Sequence, residues 1–335
     1  GNIRTITGLV GGGMDALLAP LGPLLAEKDS SPGRETALAV LNGIAGDHLA
    51  ARNNPLAISM QFHRNGEPLN AEMLSEAMQR SDGRLLVLVH GSSMNDLHWN
   101  RQGHDHGAAL ARDLGIEPIY LHYNTGLHIS ENGKKLSDLL EVIIKLSPQL
   151  PEPPQLFFIA HSMGGLVARS ACHYAAAAGY TWPNHLRKLI FLGTPHHGAP
   201  LEKGGNWLEA ILGISPYSAP FSRLGKIRSS GVTDLRYGNI LDEDWQGRDR
   251  FQLAGDQRTP VPLPDGVQCY AIAASTTQES SKLRDKLIGD GLVPINSALG
   301  RHKKAELALQ FPESHQWIGR NMTHQDLLSH PQVYE

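Results

Sequence analysis

From residue 84 onward, the chain alternates short apolar runs with segments of helical periodicity. Uninterrupted apolar strands are typical of a parallel sheet whose two faces are both covered by helices. The sequence therefore predicts an α/β fold with a mostly parallel sheet. Five runs are predicted to form strands: "RLLVLVHG" (84–91), "PIYLHYN" (118–124), "PQLFFIAHS" (154–162), "LRKLIFLGTP" (186–195) and "VQCYAIAAS" (267–275).

The first 80 residues have a different pattern. "ITGLVGGGMDALLAPLGPLL" and "GRETALAVLNGIAGDHLA" carry apolar residues at helical spacing, interrupted by Gly and Pro. Further on, Asn65 and Gly66 predict a tight hairpin turn. We expect residues 1–80 to form a helical extension or cap, and residues 81–335 to form the main domain.

A long connection of about seventy residues separates the fourth strand from the fifth, and such connections are usually functional. We expect a lid or cap insertion over about residues 198–262. The apolar segment "NWLEAILGISPYSAPF" within it is predicted to shape an acyl-chain pocket, with Trp207 contacting the substrate. Ordinary packing of this segment onto the core is the alternative.

A serine stands where the third strand ends and a helix begins, in "FIAHSMGGLVARS" (158–170). A strand–turn–helix bend of this kind lifts the serine hydroxyl above the sheet, and strand and helix nearly touch there. The residues two before and two after the serine must therefore be small, and Ala160 and Gly164 meet this condition. Ser162 is predicted to be a nucleophile, and an ordinary helix N-cap is the alternative.

Acyl transfer at a serine needs two backbone amides that point at the developing oxyanion. Met163, at the start of the helix after the serine, supplies one of them. The first strand ends in the glycine turn of "LVLVHGSS" (86–93). We therefore predict that the amide of Ser92 supplies the other.

The acid and the base of such a site follow the serine in the order Ser, Asp, His. Asp290 lies between two glycines in "LIGDGLVPINSALG" (287–300), after the fifth strand, and is the predicted acid. His324 lies in a polar turn near the C-terminus, in "GRNMTHQDLLSH" (319–330), and is the predicted base. Asp256 is a weaker rival for the acid, because no strand comes directly before it.

Two further loops contain candidate binding residues. Thr125 and His128, in "YNTGLHISENG" (123–133), follow the second strand and are predicted to contact the substrate. Simple loop packing is the alternative for both. The segment "HWNRQGHDHG" (98–107) is rich in histidine, but it has no metal-binding spacing such as H-E-x-x-H. We expect it to line the acyl or alcohol pocket rather than to bind a metal.

The motifs "VHG", "AHSMGGLVAR", "LGTPHHGAP", "DGLVP" and "THQDLLSH" occur in this order over about residues 84–330. Together they resemble the α/β-hydrolase lipases and esterases, in particular the bacterial true lipases and the GPI inositol-deacylase-like hydrolases. The resemblance implies an α/β-hydrolase fold with Ser162 as nucleophile, Asp290 as orienting acid and His324 as base. It also implies that the amides of Ser92 and Met163 form the oxyanion hole.

The chain departs from this family pattern at several positions. Ala160 replaces the more frequent glycine before the nucleophile, and Thr323 stands where the lipases often have Asn. Asp326 matches a residue that helps to hold a structural calcium ion in the true lipases, whereas His330 stands in place of a glutamine ligand. We expect no cofactor, and a calcium ion at Asp326 is the alternative.

The composition limits the choice of partners and compartment. The formal net charge of −3 and the pI of about 6.7 give no basic footprint, so nucleic acid is not an expected partner. No stretch approaches the roughly 20 apolar residues of a membrane span, and no signal peptide is visible. Cys172 and Cys269 are predicted to be buried free thiols. We expect a cytoplasmic protein; since the chain begins with Gly rather than Met, a secreted or envelope location is the alternative.

These observations lead to one main functional hypothesis. The chain is predicted to be an esterase or lipase that hydrolyses a small-molecule or lipid ester through an acyl-serine intermediate. An acyltransferase that passes the same acyl group to another alcohol is one alternative. A non-catalytic binding module is the other, and the presence of all three triad residues argues against it.

Overall fold

The computed structural model describes residues 31–147, 150, 152–199, 228–249, 255–278 and 289–335. An eight-stranded sheet forms its centre. The strands are β1 (Gln61–Arg64), β2 (Glu67–Pro68), β3 (Arg84–Val89), β4 (Glu117–His122), β5 (Gln155–His161), β6 (Leu186–Leu192), β7 (Gln268–Ser275) and β8 (Gln316–Arg320). Their order across the sheet is β2-β1-β4-β3-β5-β6-β7-β8.

The six strands from β3 to β8 are all parallel, and β1 pairs antiparallel with both β2 and β4. The carboxyl ends of parallel strands meet at one edge of a sheet, where open α/β sheets bind their ligands. This topology confirms the predicted mostly parallel sheet. The sequence prediction missed β8, because "QWIGR" has neither a continuous apolar run nor a regular alternation.

Helices cover both faces of the sheet. They are α1 (Pro32–Ala51), α2 (Ala71–Arg80), α3 (His106–Leu114), α4 (Ile129–Lys145), α5 (Met163–Ala178), α6 (Ser230–Asp234), α7 (Ile295–Ala298) and α8 (Pro331–Tyr334). Local signals explain where several of them begin. The Asn70 side chain caps α2 by accepting from the Met73 amide at 2.9 Å, and Asp105 caps α3 by accepting from the Ala108 amide at 3.0 Å.

Two apolar cores lie on opposite faces of the sheet. Successive side chains of a strand point to opposite faces, so an uninterrupted apolar strand supplies both cores. In β3, Leu85 and Val87 belong to one core, which also receives α4 and α5. Leu86 and Leu88 belong to the other core, which contains the buried Trp99. This is the arrangement that the continuous apolar runs predict.

Part of the N-terminal segment is continuous with the central sheet. The predicted turn at Asn65 and Gly66 joins β1 to β2, and both residues have a positive φ. Strand β1 pairs with β4, so it extends the sheet at its antiparallel edge. The division of the chain into an extension and a main domain stays a prediction, and residues 1–30 lie outside the described part.

Residues 229–241 of the long insertion pack into the core. Helix α6 is buried, and Val232 and Leu235 join the larger of the two cores. The apolar segment that contains Trp207 lies outside the described residues, so the proposed lid and the role of Trp207 stay predictions.

Cys172 lies in α5 and Cys269 in β7, and both are buried free thiols, as predicted. Burial raises the pKa of each thiol to about 12. In the described part of the chain, no helix combines the length and apolarity needed to cross a membrane.

Candidate active site

Ser162 forms the bend between β5 and α5. Its φ of 54° and ψ of −125° are strained for a residue with a side chain. The close approach at this bend explains the need for small residues: a methyl group added at Gly164 would overlap the carbonyl oxygens of Val89 and His90, and Ala160 is fully buried. Ser162 therefore occupies the strained, crowded turn that the sequence predicts.

The turn after β3 lies against the serine. A Cβ atom added at Gly91 would lie 3.0 Å from the Cβ atom of Ser162, so this backbone passes directly beside the nucleophile candidate. Ser92 and Met163, whose amides are predicted to bind the oxyanion, are both buried here. The turn that contains Ser92 therefore lies beside Ser162, and the role of the two amides in binding an oxyanion stays a prediction.

The loop after β4 forms hydrogen bonds to the turn after β3. The amide of Ser93, which has a φ of 58°, donates to the Thr125 hydroxyl at 3.0 Å in a buried site. Tyr123 donates its hydroxyl to the carbonyl oxygen of His90 at 2.8 Å, and its ring stacks on the His90 imidazole. The loop after β4 thus fixes the backbone of residues 90–93.

Helix α1 also packs against this region. A methyl group added at Gly43 would overlap the Ser93 hydroxyl, so the helix approaches the turn closely. The helix is kinked at Ala45, where φ is −138°. Around the kink, the carbonyl oxygens of Gly43 and Gly46 accept hydrogen bonds from the side chains of Ser229 and Asn124, at 2.6 and 2.9 Å. The N-terminal helix therefore helps to hold the loops around Ser162.

Asp290 and His324 form a buried pair. The Nδ1–H group of His324 donates to Asp290 Oδ2 at 2.6 Å, and the His324 amide donates to the Asp290 carbonyl oxygen at 3.1 Å. The other carboxylate oxygen of Asp290 accepts from the amides of Leu292 and Val293, at 3.0 and 2.8 Å. These contacts fix the carboxylate and set the tautomer of the imidazole, leaving Nε2 as a hydrogen-bond acceptor.

The His324 ring lies beside the serine bend. The Ser162 amide donates to the Leu192 carbonyl oxygen at 2.8 Å, and a Cβ atom added at the next residue, Gly193, would lie 2.9 Å from His324 Cε1. The ring of His161, which precedes the serine, has its centroid 4.7 Å from that of His324. His324 Nε2 is buried and has no hydrogen-bond partner among the residues that the structure describes. The geometry thus leaves Nε2 of His324 without a hydrogen-bond partner, on a ring that lies close to the strand end next to the Ser162 bend.

Two histidines that the sequence prediction did not assign complete the surroundings. His161 donates from Nε2 to the His324 carbonyl oxygen at 3.2 Å and so supports the loop that carries the base. Burial lowers the pKa of His161 well below its ordinary value, and the nearby His324 lowers it further. Burial likewise lowers the pKa of His90 to about 3. Both are in the quoted motifs, but a motif alone does not reveal which neighbour a side chain contacts.

The turn around the base is held by its own residues and by α3. Asp326 Oδ2 accepts from the amide and the hydroxyl of Thr323, at 2.8 and 2.7 Å. His106 donates from Nε2 to the Leu327 carbonyl oxygen at 3.0 Å. Asp326 is thus engaged in closing the turn that carries His324.

The two predicted substrate contacts in the loop after β4 already have protein partners. Thr125 accepts from Ser93, as described above. His128 stacks on Trp245 at a centroid distance of 3.7 Å, and its Nδ1 lies 3.0 Å from the buried Asp234. Both side chains thereby connect loops to one another, and their contact with a substrate stays a prediction.

The rival acid and the histidine-rich segment have other side-chain partners than His324, and the prediction that the segment lines the substrate pocket stays a prediction. Asp256 pairs with Arg258 at 3.3 Å and lies 3.7 Å from His302, whereas Asp290 pairs with His324. In the histidine-rich segment, His98 contacts Asn95 at 2.6 Å and His104 contacts His106 at 2.9 Å. The structure therefore favours Asp290 over Asp256 as the partner of His324.

Three solved structures illustrate what the chain is similar to. The mature form of Bacillus licheniformis lipase BlEst2 is 16% identical, with 81% of this chain and 92% of that chain covered and a TM-score of 0.47. The metagenomic carboxyl esterase MGS0156 is 16% identical, with 92% and 87% covered and a TM-score of 0.41. Aspergillus fumigatus lipase B is 11% identical, with 99% and 83% covered and a TM-score of 0.46. A comparison with curated proteins finds no match.

A family model gives a more specific result. The model described as the PGAP1-like alpha/beta domain matches residues 80–253, which is more than half of the chain. The matched stretch contains the turn at Gly91 and the bend at Ser162. Together with the strand order of the sheet, it confirms the predicted α/β-hydrolase fold. The chain belongs to the family of the PGAP1-like alpha/beta domain.

Proposed function

We propose that this protein is a serine carboxylic ester hydrolase that acts on a small-molecule or lipid ester through an acyl-serine intermediate. One observation carries the proposal. His324 binds Asp290 through Nδ1 at 2.6 Å, while its Nε2 is buried beside the Ser162 bend and has no partner in the described part of the chain. A buried imidazole with one nitrogen held by a carboxylate and the other left basic is suited to accept a serine proton.

In the first half of the reaction, Ser162 Oγ attacks the ester carbonyl carbon and His324 Nε2 takes the hydroxyl proton. Asp290 holds the imidazole in the correct tautomer and stabilises the imidazolium. The ester carbonyl oxygen becomes negatively charged and accepts hydrogen bonds from the amides of Ser92 and Met163, each of which contributes about 3 kcal/mol. His324 then gives its proton to the departing alkoxide, and the acyl group stays on Ser162.

In the second half, water attacks the acyl-serine while His324 Nε2 takes one of its protons. The tetrahedral intermediate uses the same two amides. It collapses when the proton returns to Ser162 Oγ, releasing the carboxylic acid. In this proposal Thr125 acts as a positioning residue, because it holds the Ser93 amide next to the Ser92 donor.

The proposal requires no calcium ion. Oδ2 of Asp326 accepts two hydrogen bonds from Thr323 and closes the turn of the base. We therefore assign Asp326 to positioning of His324.

The direct test combines a serine variant with a covalent probe. Ser162→Ala is expected to abolish hydrolysis of p-nitrophenyl esters and labelling by a fluorophosphonate, since both need the hydroxyl. Asp256→Asn is the matched control and should keep both, because Asp256 lies outside the His324 pair. Retained ester hydrolysis by folded Ser162→Ala protein would overturn the proposal.

A further inference from the structure

A second group of histidine and carboxylate side chains lies at the antiparallel edge of the sheet. It consists of His63, Asp96 and His122, all of which are buried. Each offers one potential ligand atom, and these atoms lie within 4.8 Å of one another. Among the residues that the structure describes, these three side chains are close enough together to bind one metal ion. The proposed hydrolytic site does not use it.

The fold brings these residues together from three elements. In the pairing of β1 with β4, Gln61 lies opposite His122. His63 comes two residues after Gln61, so it points to the same face of the sheet and is the diagonal neighbour of His122. Asp96 begins the short 3-10 helix Asp96–Trp99, in the loop that follows β3. No local sequence motif therefore marks the group.

The side chains converge on one carboxylate. Nδ1 of His63 lies 3.0 Å from Asp96 Oδ2, and Nδ1 of His122 lies 2.8 Å from Asp96 Oδ1. The two imidazole rings stack with centroids 4.4 Å apart and planes 6° from parallel. Both donor nitrogens thus face the same carboxylate from one side of the sheet.

The carboxylate of Asp96 has only imidazole groups as charged partners in the described part of the chain. Its ion-pair partners there are the two histidines, with no Lys or Arg. Each carboxylate oxygen therefore faces an imidazole nitrogen rather than a permanently charged cation. A bound metal ion would take the place of the protons that lie between these nitrogens and the carboxylate.

The donor set matches zinc. Two imidazole nitrogens and one carboxylate oxygen are ligands that Zn²⁺ prefers, with bonds of about 2 Å, and a tetrahedral ion then has ligand atoms about 3.3 Å apart. The nitrogen–oxygen distances of 2.8 and 3.0 Å, which run to the two different oxygens of Asp96, would open by a few tenths of an ångström. The three ligand atoms, which lie within 4.8 Å of one another, would adjust to this common spacing. The fourth position would be taken by water.

The surroundings also suit a bound ion. A histidine that binds a metal through Nδ1 carries its proton on Nε2, and this proton usually has a hydrogen-bond partner. The side-chain amide of Gln61 lies 2.9 Å from Nε2 of His63, and rotation of the amide by 180° would present its oxygen as the acceptor. Gln61 can therefore orient His63 for coordination.

We propose that His63, Asp96 and His122 bind a zinc ion that ties the loop after β3 to the strands β1 and β4. Asp96 comes four residues after Ser92 in the chain. The ion would therefore fix the loop that leads from the oxyanion turn, at a site separate from the serine. The binding itself does not depend on ester hydrolysis.

The test uses the full chain, stripped of metal with a chelator and dialysed. Calorimetric titration with zinc chloride is expected to give one bound equivalent and a raised melting temperature. Titration with cobalt(II) should give the visible absorption bands of a low-coordinate nitrogen–oxygen site.

His63→Asn and His122→Asn should lose both the zinc binding and the cobalt absorption bands. His104→Asn is the matched control, because His104 also contacts a second histidine but has no carboxylate between the rings. Ser162→Ala should bind zinc like the wild type.

Three results would overturn the proposal: no zinc binding by the wild type, zinc binding that survives both His63→Asn and His122→Asn, or loss of binding in Ser162→Ala. If the histidine variants fail to fold, crystals of the wild type soaked in zinc and measured at the zinc absorption edge decide the question. An anomalous peak among His63, Asp96 and His122 supports the site. A peak only elsewhere, or none, refutes it.

Discussion

Two of the buried groups that the structure describes bring imidazole Nδ1 atoms to a carboxylate, that of Asp290 and that of Asp96, and they differ in what surrounds them. In one, Asp290 has a single histidine partner, and its second oxygen is occupied by the backbone amides of Leu292 and Val293. In the other, one oxygen of Asp96 contacts Nδ1 of His63 and the other oxygen contacts Nδ1 of His122. The first group lies beside a strained serine, whereas the second lies at the sheet edge with no nucleophile assigned to it.

This difference shows that a histidine–carboxylate pair alone does not define the function of a site. In the first group two backbone amides occupy one carboxylate oxygen, so a single imidazole binds the carboxylate, and its Nε2 has no hydrogen-bond partner in the described part of the chain. In the second group each carboxylate oxygen has its own imidazole partner, and the proposed ion site rests on this arrangement. In these two proposals, the partner of the second carboxylate oxygen separates proton transfer from ion binding.

Replacing one histidine of each group, His324 or His122, gives the largest expected difference in kcat. His324→Gln should lower kcat for a p-nitrophenyl ester by about 10⁵- to 10⁶-fold, because the base is lost. His122→Gln should lower it by less than about tenfold, because it acts only through the loop after β3. Steady-state kinetics on both variants measure the contrast. Equal losses would remove the distinction between the two groups.

Replacement of the two carboxylates gives the next contrast. Asp290→Asn should lower kcat by about 10⁴-fold, because an amide in this place favours the wrong imidazole tautomer. Asp256→Asn, the control, should stay close to the wild-type rate. If Asp256→Asn causes the large loss and Asp290→Asn does not, the acid has been assigned to the wrong residue.

Replacing Thr125, in the loop after β4, should lower kcat by a smaller factor. Thr125→Val removes the acceptor of the buried Ser93 amide, and leaving such an amide without a partner costs about 1–3 kcal/mol. If this cost falls on the arrangement of the oxyanion turn in the transition state, kcat falls by about ten- to hundredfold with little change in KM. Thr125→Ser keeps the hydroxyl and should recover most of the rate. A rise in KM with unchanged kcat would instead support direct substrate contact by Thr125.

The pH dependence of stability tests a histidine that has no carboxylate partner. Burial lowers the pKa of His90 to about 3, so the unfolded chain binds a proton below about pH 6.5 that the folded protein excludes. Stability from this source is complete above about pH 6.5 and declines as the pH falls toward 3. His90→Gln should therefore flatten the fall of the melting temperature between pH 7 and pH 4. An unchanged slope would contradict the effect of burial on His90.

The sequence by itself determined the parallel sheet, the hairpin at Asn65 and Gly66, and the bend at Ser162. Each of these depends on short-range rules: an apolar run forms a strand buried on both faces, a residue pair that tolerates positive φ forms a tight turn, and small residues flank a crowded bend. The order of the motifs also singled out Asp290 and His324 as candidates.

Only the tertiary structure decided which side chains meet. Asp290 and His324 are 34 residues apart, and the contact of His63 with Asp96 spans 33 residues. The hydroxyl of Thr125 accepts from the buried Ser93 amide across 32 residues, a contact that the sequence does not reveal. The physical reason is that most buried polar groups need a hydrogen-bond partner, and the partner is whichever group the packing of the whole chain brings within reach.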